Sequence, residues 1–150
     1  MGRIKLRNII EAEPKKLVCV PPEVSLQDAA GELSAHRAGI VVVVDDQGDV
    51  VGILSERDVT KAFADHGANA INATVADHMS TNVVMCEETE DPYTAVWLMH
   101  EYGIRHLPIA ASGTPKAILS SRDVLKYLSD HGSPEEQASL WERRPLTFGY

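Results

Sequence analysis

Ser55-Glu56-Arg57-Asp58-Val59-Thr60-Lys61 returns 65 residues later as Ser120-Ser121-Arg122-Asp123-Val124-Leu125-Lys126. The two segments also close alike, on Asp65-His66-Gly67 and Asp130-His131-Gly132. Self-similarity at a fixed offset is the mark of a duplicated structural unit, and it is sought before single elements are assigned. Upstream the match is looser and the offset becomes 66: Ala29 answers Ala95, Val41 answers Leu107 and Val18 answers Val84. A turn one residue shorter in the second copy, around Gly113, accounts for the change. The chain is read as a duplication.

Each copy spells β-α-β-β-α. A short apolar strand comes first, Leu17 to Val20 and Val83 to Cys86. A helix follows, with Ser25 and Asp91 as expected N-caps, because their side-chain oxygens satisfy free backbone N–H groups. Asp28 predicts a capping box for the first helix, and Pro92 marks the first position of the second. Apolar residues then recur at helical spacing: Leu26, Ala29, Ala30 and Leu33, then Ala95, Val96, Leu98, Met99 and Tyr102. The next strands are Ile40 to Val44 and Leu107 to Ala110, and the unbroken valine run suits a strand covered on both faces. Turns at Asp46-Gln47-Gly48 and Ser112-Gly113-Thr114 lead to strands at Val50 to Leu54 and Lys116 to Leu119. The closing helices begin at Ser55 and Ser120. They stop at Gly67 and Gly132, where glycine is expected to supply a left-handed conformation.

Between the copies, Thr74-Val75-Ala76-Asp77-His78-Met79 predicts a short linker helix. Beyond them, Ser133-Pro134-Glu135-Glu136 starts a last helix expected to carry Leu140 and Trp141. The fold class is α+β, with repeats at 6–67 and 74–132 and a C-terminal helix and tail at 133–150. A three-stranded sheet with two helices on one face leaves its other face bare, so the copies are expected to pack as a pseudo-two-fold pair. The tail from Arg143 to Tyr150 reads either as a frayed end or as an arm over a partner subunit.

Composition narrows the function. Hydrophobic residues make up 44% of the 150 and charged residues 24%, a globular mixture. A chain of this length buries roughly 70% of its unfolded surface, so it needs no metal or disulfide to fold. Lys and Arg number 14 against 22 Asp and Glu, a net charge of -8, which disfavours nucleic acid and anionic membranes as partners. The basic start, Met1 to Arg7, has no apolar run after it, and Ile40 to Val44 is too short to span a bilayer. The expectation is a cytoplasmic protein with no membrane segment. Cys19 and Cys86 lie in apolar runs and read as reduced core thiols. His36, His78 and His100 have no metal-ligand spacing, so no metal is expected. His66 and His131 suit the C-terminal ends of their helices. No GxSxG, HExxH, P-loop or GxGxxG pattern is present, so the chain is not expected to be an enzyme.

The duplicated Ser-x-x-Asp motif carries chemistry. Ser55 and Ser120 lie where a strand turns into a helix, and a helix start favours an anion. Asp58 and Asp123, one turn along, accept hydrogen bonds only, as a ribose diol requires. Arg57 and Arg122 are planar cations suited to phosphate. The same four-residue pattern is also an ordinary capping box.

The G-I-L-S-x-R-D-V stretch, Val75-Ala76-Asp77-His78-Met79 and Gly103-Ile104-Arg105-His106-Leu107-Pro108 together resemble a tandem pair of CBS domains, a Bateman module. The resemblance runs from about Leu6 to Gly132 and is to the stand-alone prokaryotic type. It implies two clefts between repeats that commonly bind adenosine-containing ligands, with the Ser and Asp of each motif on phosphate and ribose. It further implies that Ile53 and Ile118 flank the adenine and that Arg105 and His106 reach phosphates. Their counterparts Gly39 and Ile40 bring no charge, so the two sites are not expected to be equivalent.

The function implied is a non-catalytic sensor of AMP, ADP or ATP that biases an unidentified regulated protein. S-adenosylmethionine or NAD derivatives are alternative ligands, and a ligand-free interaction module is the alternative of another class. The resemblance also implies a homodimer, for which Leu33, Trp97, Leu98 and Leu128 are either contact residues or monomer core.

Overall fold

The computed structural model describes residues 3–142, so the tail from Arg143 to Tyr150 lies outside the described residues. The chain divides into two compact units. Residues 16–83 form one; residues 3–15 together with 84–142 form the other.

In the first unit, β1 (Cys19–Val20) runs parallel to β2 (Ile40–Val44), which pairs antiparallel with β3 (Val50–Ser55). Helix α2 (Leu26–Ala35) and helix α3 (Glu56–His66) complete the β-α-β-β-α order. The core gathers Val18, Val20, Leu26, Ala29, Leu33, Val41, Val43 and Leu54. Ile40 through Val43 are all buried, as the continuous β-branched run requires. A 3-10 turn (Gly67–Asn72) and the short helix α4 (Val75–His78), capped by Thr74, follow. The chain then lays Ser80 along β3, where Ser80 and Ile53 exchange backbone hydrogen bonds of 2.8 and 2.9 Å.

The second unit repeats the plan with β4 (Cys86–Glu87), α5 (Pro92–Glu101), β5 (His106–Ala111), β6 (Thr114–Ser120) and α6 (Ser121–His131). Val44 pairs with Val50 but Ala110 with Pro115, so the connecting turn is one residue shorter, as the change of offset implied. Ser112 and Gly113 both hold positive φ (51° and 80°), the conformation a two-residue hairpin turn needs. Helix α7 (Pro134–Glu142) starts in a capping box in which Ser133 N–H donates to Glu136 and Glu136 N–H donates to Ser133.

The sequence assigned no element to Leu6–Ala12, yet it is a helix, α1, and it belongs to the second unit. Leu6, Ile9 and Ile10 are buried in one core with Met99, Leu107, Val124 and Leu128. Backbone bonds from Leu6 N–H to Glu90 and from Arg7 N–H to Glu88 hold it there. Glu88, only 8% exposed, accepts from Lys116 at 2.8 Å and Arg7 at 3.1 Å. The hydrogen bond from Lys116, opposed by burial and aided by Arg7, holds the Glu88 carboxyl below its ordinary value.

A depressed folded value means that Glu88 stabilises the fold above the unfolded carboxylate pKa, and the contribution fades as pH falls through the folded one. The stability advantage of the wild type over Glu88→Gln should therefore shrink between about pH 6 and about pH 3. Urea midpoints of both proteins across that range check it; a constant difference would assign the loss to packing.

Four local expectations need correction. Cys19 is exposed, because strand alternation at the sheet edge turns it outward while Val20 points in; Cys86 is buried as expected. Burial and the nearby Glu90 and Asp91 push the Cys86 thiol up to about 11. Gly132 is extended (φ -68°) and not left-handed; a Cβ there would meet the Leu128 carbonyl oxygen at 2.5 Å, so the residue serves close approach. Gly67 does take a positive φ of 57°. Asp28 N–H donates to Ser25 in half a capping box, without the reciprocal bond. The first strands are shorter than the apolar runs, since only Cys19–Val20 and Cys86–Glu87 pair with their parallel neighbours. Leu33 and Leu128 are core residues, Leu98 packs against the core, and Trp97 is 58% exposed.

Candidate functional site

Each duplicated motif forms the junction between the last strand and the last helix of its unit. In the first, Ser55 N–H and Ser55 O–H both donate to Asp58 Oδ2, at 2.8 and 2.9 Å, and Asp58 N–H returns a bond to Ser55 Oγ at 3.1 Å. In the second, Ser120 N–H donates to Asp123 Oδ2 at 2.8 Å and Asp123 N–H to Ser120 Oγ at 3.0 Å. Both are complete capping boxes. The capping role is thus real, and it fixes the rotamer of each aspartate at the helix start.

The strand register places the other candidates. His106 opens β5 directly opposite Ser120, and Ser121 N–H donates to the Arg105 carbonyl at 3.0 Å. Their equivalents are Ile40 opposite Ser55 and Glu56 N–H on the Gly39 carbonyl, also at 3.0 Å. Backbone geometry is therefore the same in both copies, and the difference lies in side chains alone. Arg105, Arg57 and Arg122 are exposed, whereas His106, Ile53 and Ile118 are half-buried.

A contact that the sequence did not announce separates the two motifs further. Lys15 Nζ donates to Asp123 Oδ1 at 2.6 Å, across 108 residues. Burial alone would raise the Asp123 carboxyl, but Lys15 and the Ser120 N–H and hydroxyl together hold it below the ordinary carboxylate value. A cavity of about 200 Å³ opens beside this pair, lined by Ile9, Leu119, Tyr127 and His131 among others. The Tyr127 and His131 rings stack with centroids 4.3 Å apart, and Lys126 pairs with Glu13 at 3.1 Å. No spacing rule in the sequence joins residues 13–15 to residues 123–131. His66 and His78 also meet, ring centroids 5.4 Å apart, and among the described residues no group of three metal-ligating side chains gathers.

A family model for the CBS domain matches residues 7–65 and again 75–130, on the two copies described above. The chain belongs to the CBS-domain family. An uncharacterized 17.7 kDa protein of the bps2 3′ region of Acidianus ambivalens is 36% identical over 128 residues, covering 81% of this chain and 76% of its own. Several other curated relatives are longer, and this chain spans less than two thirds of them.

Among solved structures, a CBS-domain-containing protein of Agrobacterium tumefaciens is similar with a TM-score of 0.76 and 36% identity, over 81% of this chain and 96% of that one. The CBS domain pair of protein MJ0100, solved with 5′-methylthioadenosine and S-adenosyl-L-methionine, shares the fold at a TM-score of 0.74 and 24% identity. That match covers 86% of this chain and 98% of the other. Among the described residues of this CBS protein, no helix is long and apolar enough to cross a membrane.

Proposed function

We propose that this CBS protein is a non-catalytic sensor that binds an adenine nucleotide, AMP, ADP or ATP, at its Ser-x-x-Asp motifs. The observation that carries the proposal is the duplication of the strand-to-helix junction, each copy holding an acceptor-only carboxylate at a helix start. A capping box alone needs no copy. An aspartate held by its neighbouring serine presents its remaining acceptor positions to a vicinal diol, and the helix start beside it favours phosphate. Ile53 and Ile118 supply apolar surface for the base, and Arg105 and His106 add donors beside the second motif. The complex of the MJ0100 domain pair with two adenosine compounds supports this class of ligand for the fold.

The nucleotide acts on a partner protein only through its differential affinity for two states of the module. The family resemblance supports a homodimer, and light scattering at micromolar concentration tests it: a monomeric mass would count against the dimer. Native mass spectrometry of the purified protein, followed by titration with AMP, ADP and ATP, tests the ligand. Saturable binding of an adenine nucleotide agrees with the proposal. Binding of S-adenosylmethionine in preference to all three nucleotides would move the ligand to the second class, and binding of neither would leave an interaction module.

A further inference from the structure

The carboxylate that the proposed second site offers to a ribose is already engaged. Asp123 Oδ2 takes the Ser120 N–H and Oδ1 takes the Lys15 ammonium, so both oxygens have a donor. The Asp123 side chain is 14% exposed and that of Lys15 is 50% exposed. Lys15 stands just past Pro14, on irregular chain between α1 and β1. Its ammonium is a point charge on a flexible four-carbon stem, able to change partner without moving the backbone. The other lysine beside the cavity, Lys126, is paired with Glu13.

We infer that Lys15 sets the charge preference of this site: a ribose hydroxyl takes its place on Asp123, and the displaced ammonium pairs with the phosphate of the same ligand. The inference rests on the nucleotide-binding proposal above and concerns the second motif only. A neutral nucleoside that takes the place of Lys15 on Asp123 breaks the Lys15–Asp123 pair and gives the ammonium nothing in return. A nucleoside monophosphate gives it a dianion. S-adenosylmethionine, which carries a sulfonium, would meet a like charge. Asp58 has no lysine at the equivalent place in sequence, since the offset that relates the copies puts Lys15 against Thr81.

Calorimetric titration of AMP and of adenosine into the full chain tests this in the wild type, Lys15→Met and Lys15→Arg, with thermal melts to show that each is folded. Lys15→Met should bind adenosine more tightly and AMP more weakly, so that the preference for AMP over adenosine falls by about tenfold. Lys15→Arg keeps the charge and should keep the preference. An unchanged ratio in Lys15→Met, with both ligands still bound, would overturn the inference, reduce Lys15 to a clasp on α6 and leave the nucleotide proposal standing. Failure of the wild type and both variants to bind either ligand would overturn the two together. Should Lys15→Met not fold, Lys15→Gln serves in its place under the same outcomes.

Discussion

Leu6→Ala is expected to destabilise the protein by about 2–5 kcal/mol, the range for truncating a fully buried leucine in a core that relaxes only partly. Leu6 is 0% exposed and shares a core with Ile9, Ile10, Leu107 and Leu128. The helix that carries it opens the 6–67 segment in sequence but packs in the unit built from the second copy. A short leading segment with no core role would tolerate the change within about 0.5 kcal/mol. Urea unfolding, with the slope compared between wild type and variant, decides between the two outcomes. A loss near zero would mean that α1 is an appendage.

Removing a proposed ribose acceptor is expected to have the second large effect. Asp123→Ala and Asp58→Ala should each weaken nucleotide binding at their own site by about 1–3 kcal/mol, the cost of leaving ligand hydroxyls without their partner. Each variant also loses the reciprocal half of a capping box, so a modest fall in melting temperature is expected alongside. The two losses separate cleanly in the data. Affinity measured well below the melting transition reports the ribose contact, whereas the transition itself reports the cap. Unchanged affinity with lowered melting in both variants would show that the motifs serve only as caps. The Asp123 variant carries an added consequence, because it also strips Lys15 of its anion.

What the sequence revealed was mostly local. A capping box spans four residues, so Ser55 with Asp58 and Ser120 with Asp123 could be read directly, as could the Ser133 start of α7. The duplication then made a fold out of local signals, because each copy checked the other. Contacts of long sequence separation were not legible. Arg7 reaches Glu88 across 81 residues and Lys15 reaches Asp123 across 108, and neither residue type nor spacing marks such a pair in advance.

Rules of thumb failed where a specific geometry replaced the common one. Gly132 ends a helix as expected but is glycine because the Leu128 carbonyl leaves no room for a Cβ. Cys19 sits in an apolar run yet faces out, since a two-residue edge strand buries only one of its two side chains. The asymmetry between Gly39-Ile40 and Arg105-His106 was visible from the start. Its stronger counterpart, the lysine on Asp123 alone, was not.

Amide NMR during titration of the wild-type protein with AMP tests the central claim most directly. Saturable shifts are expected at the two strand-to-helix junctions, in residues 53–58 and 118–123, with Arg105 and His106 moving alongside the second. Spectra that stay unchanged at those residues up to millimolar AMP, ADP and ATP would contradict the account.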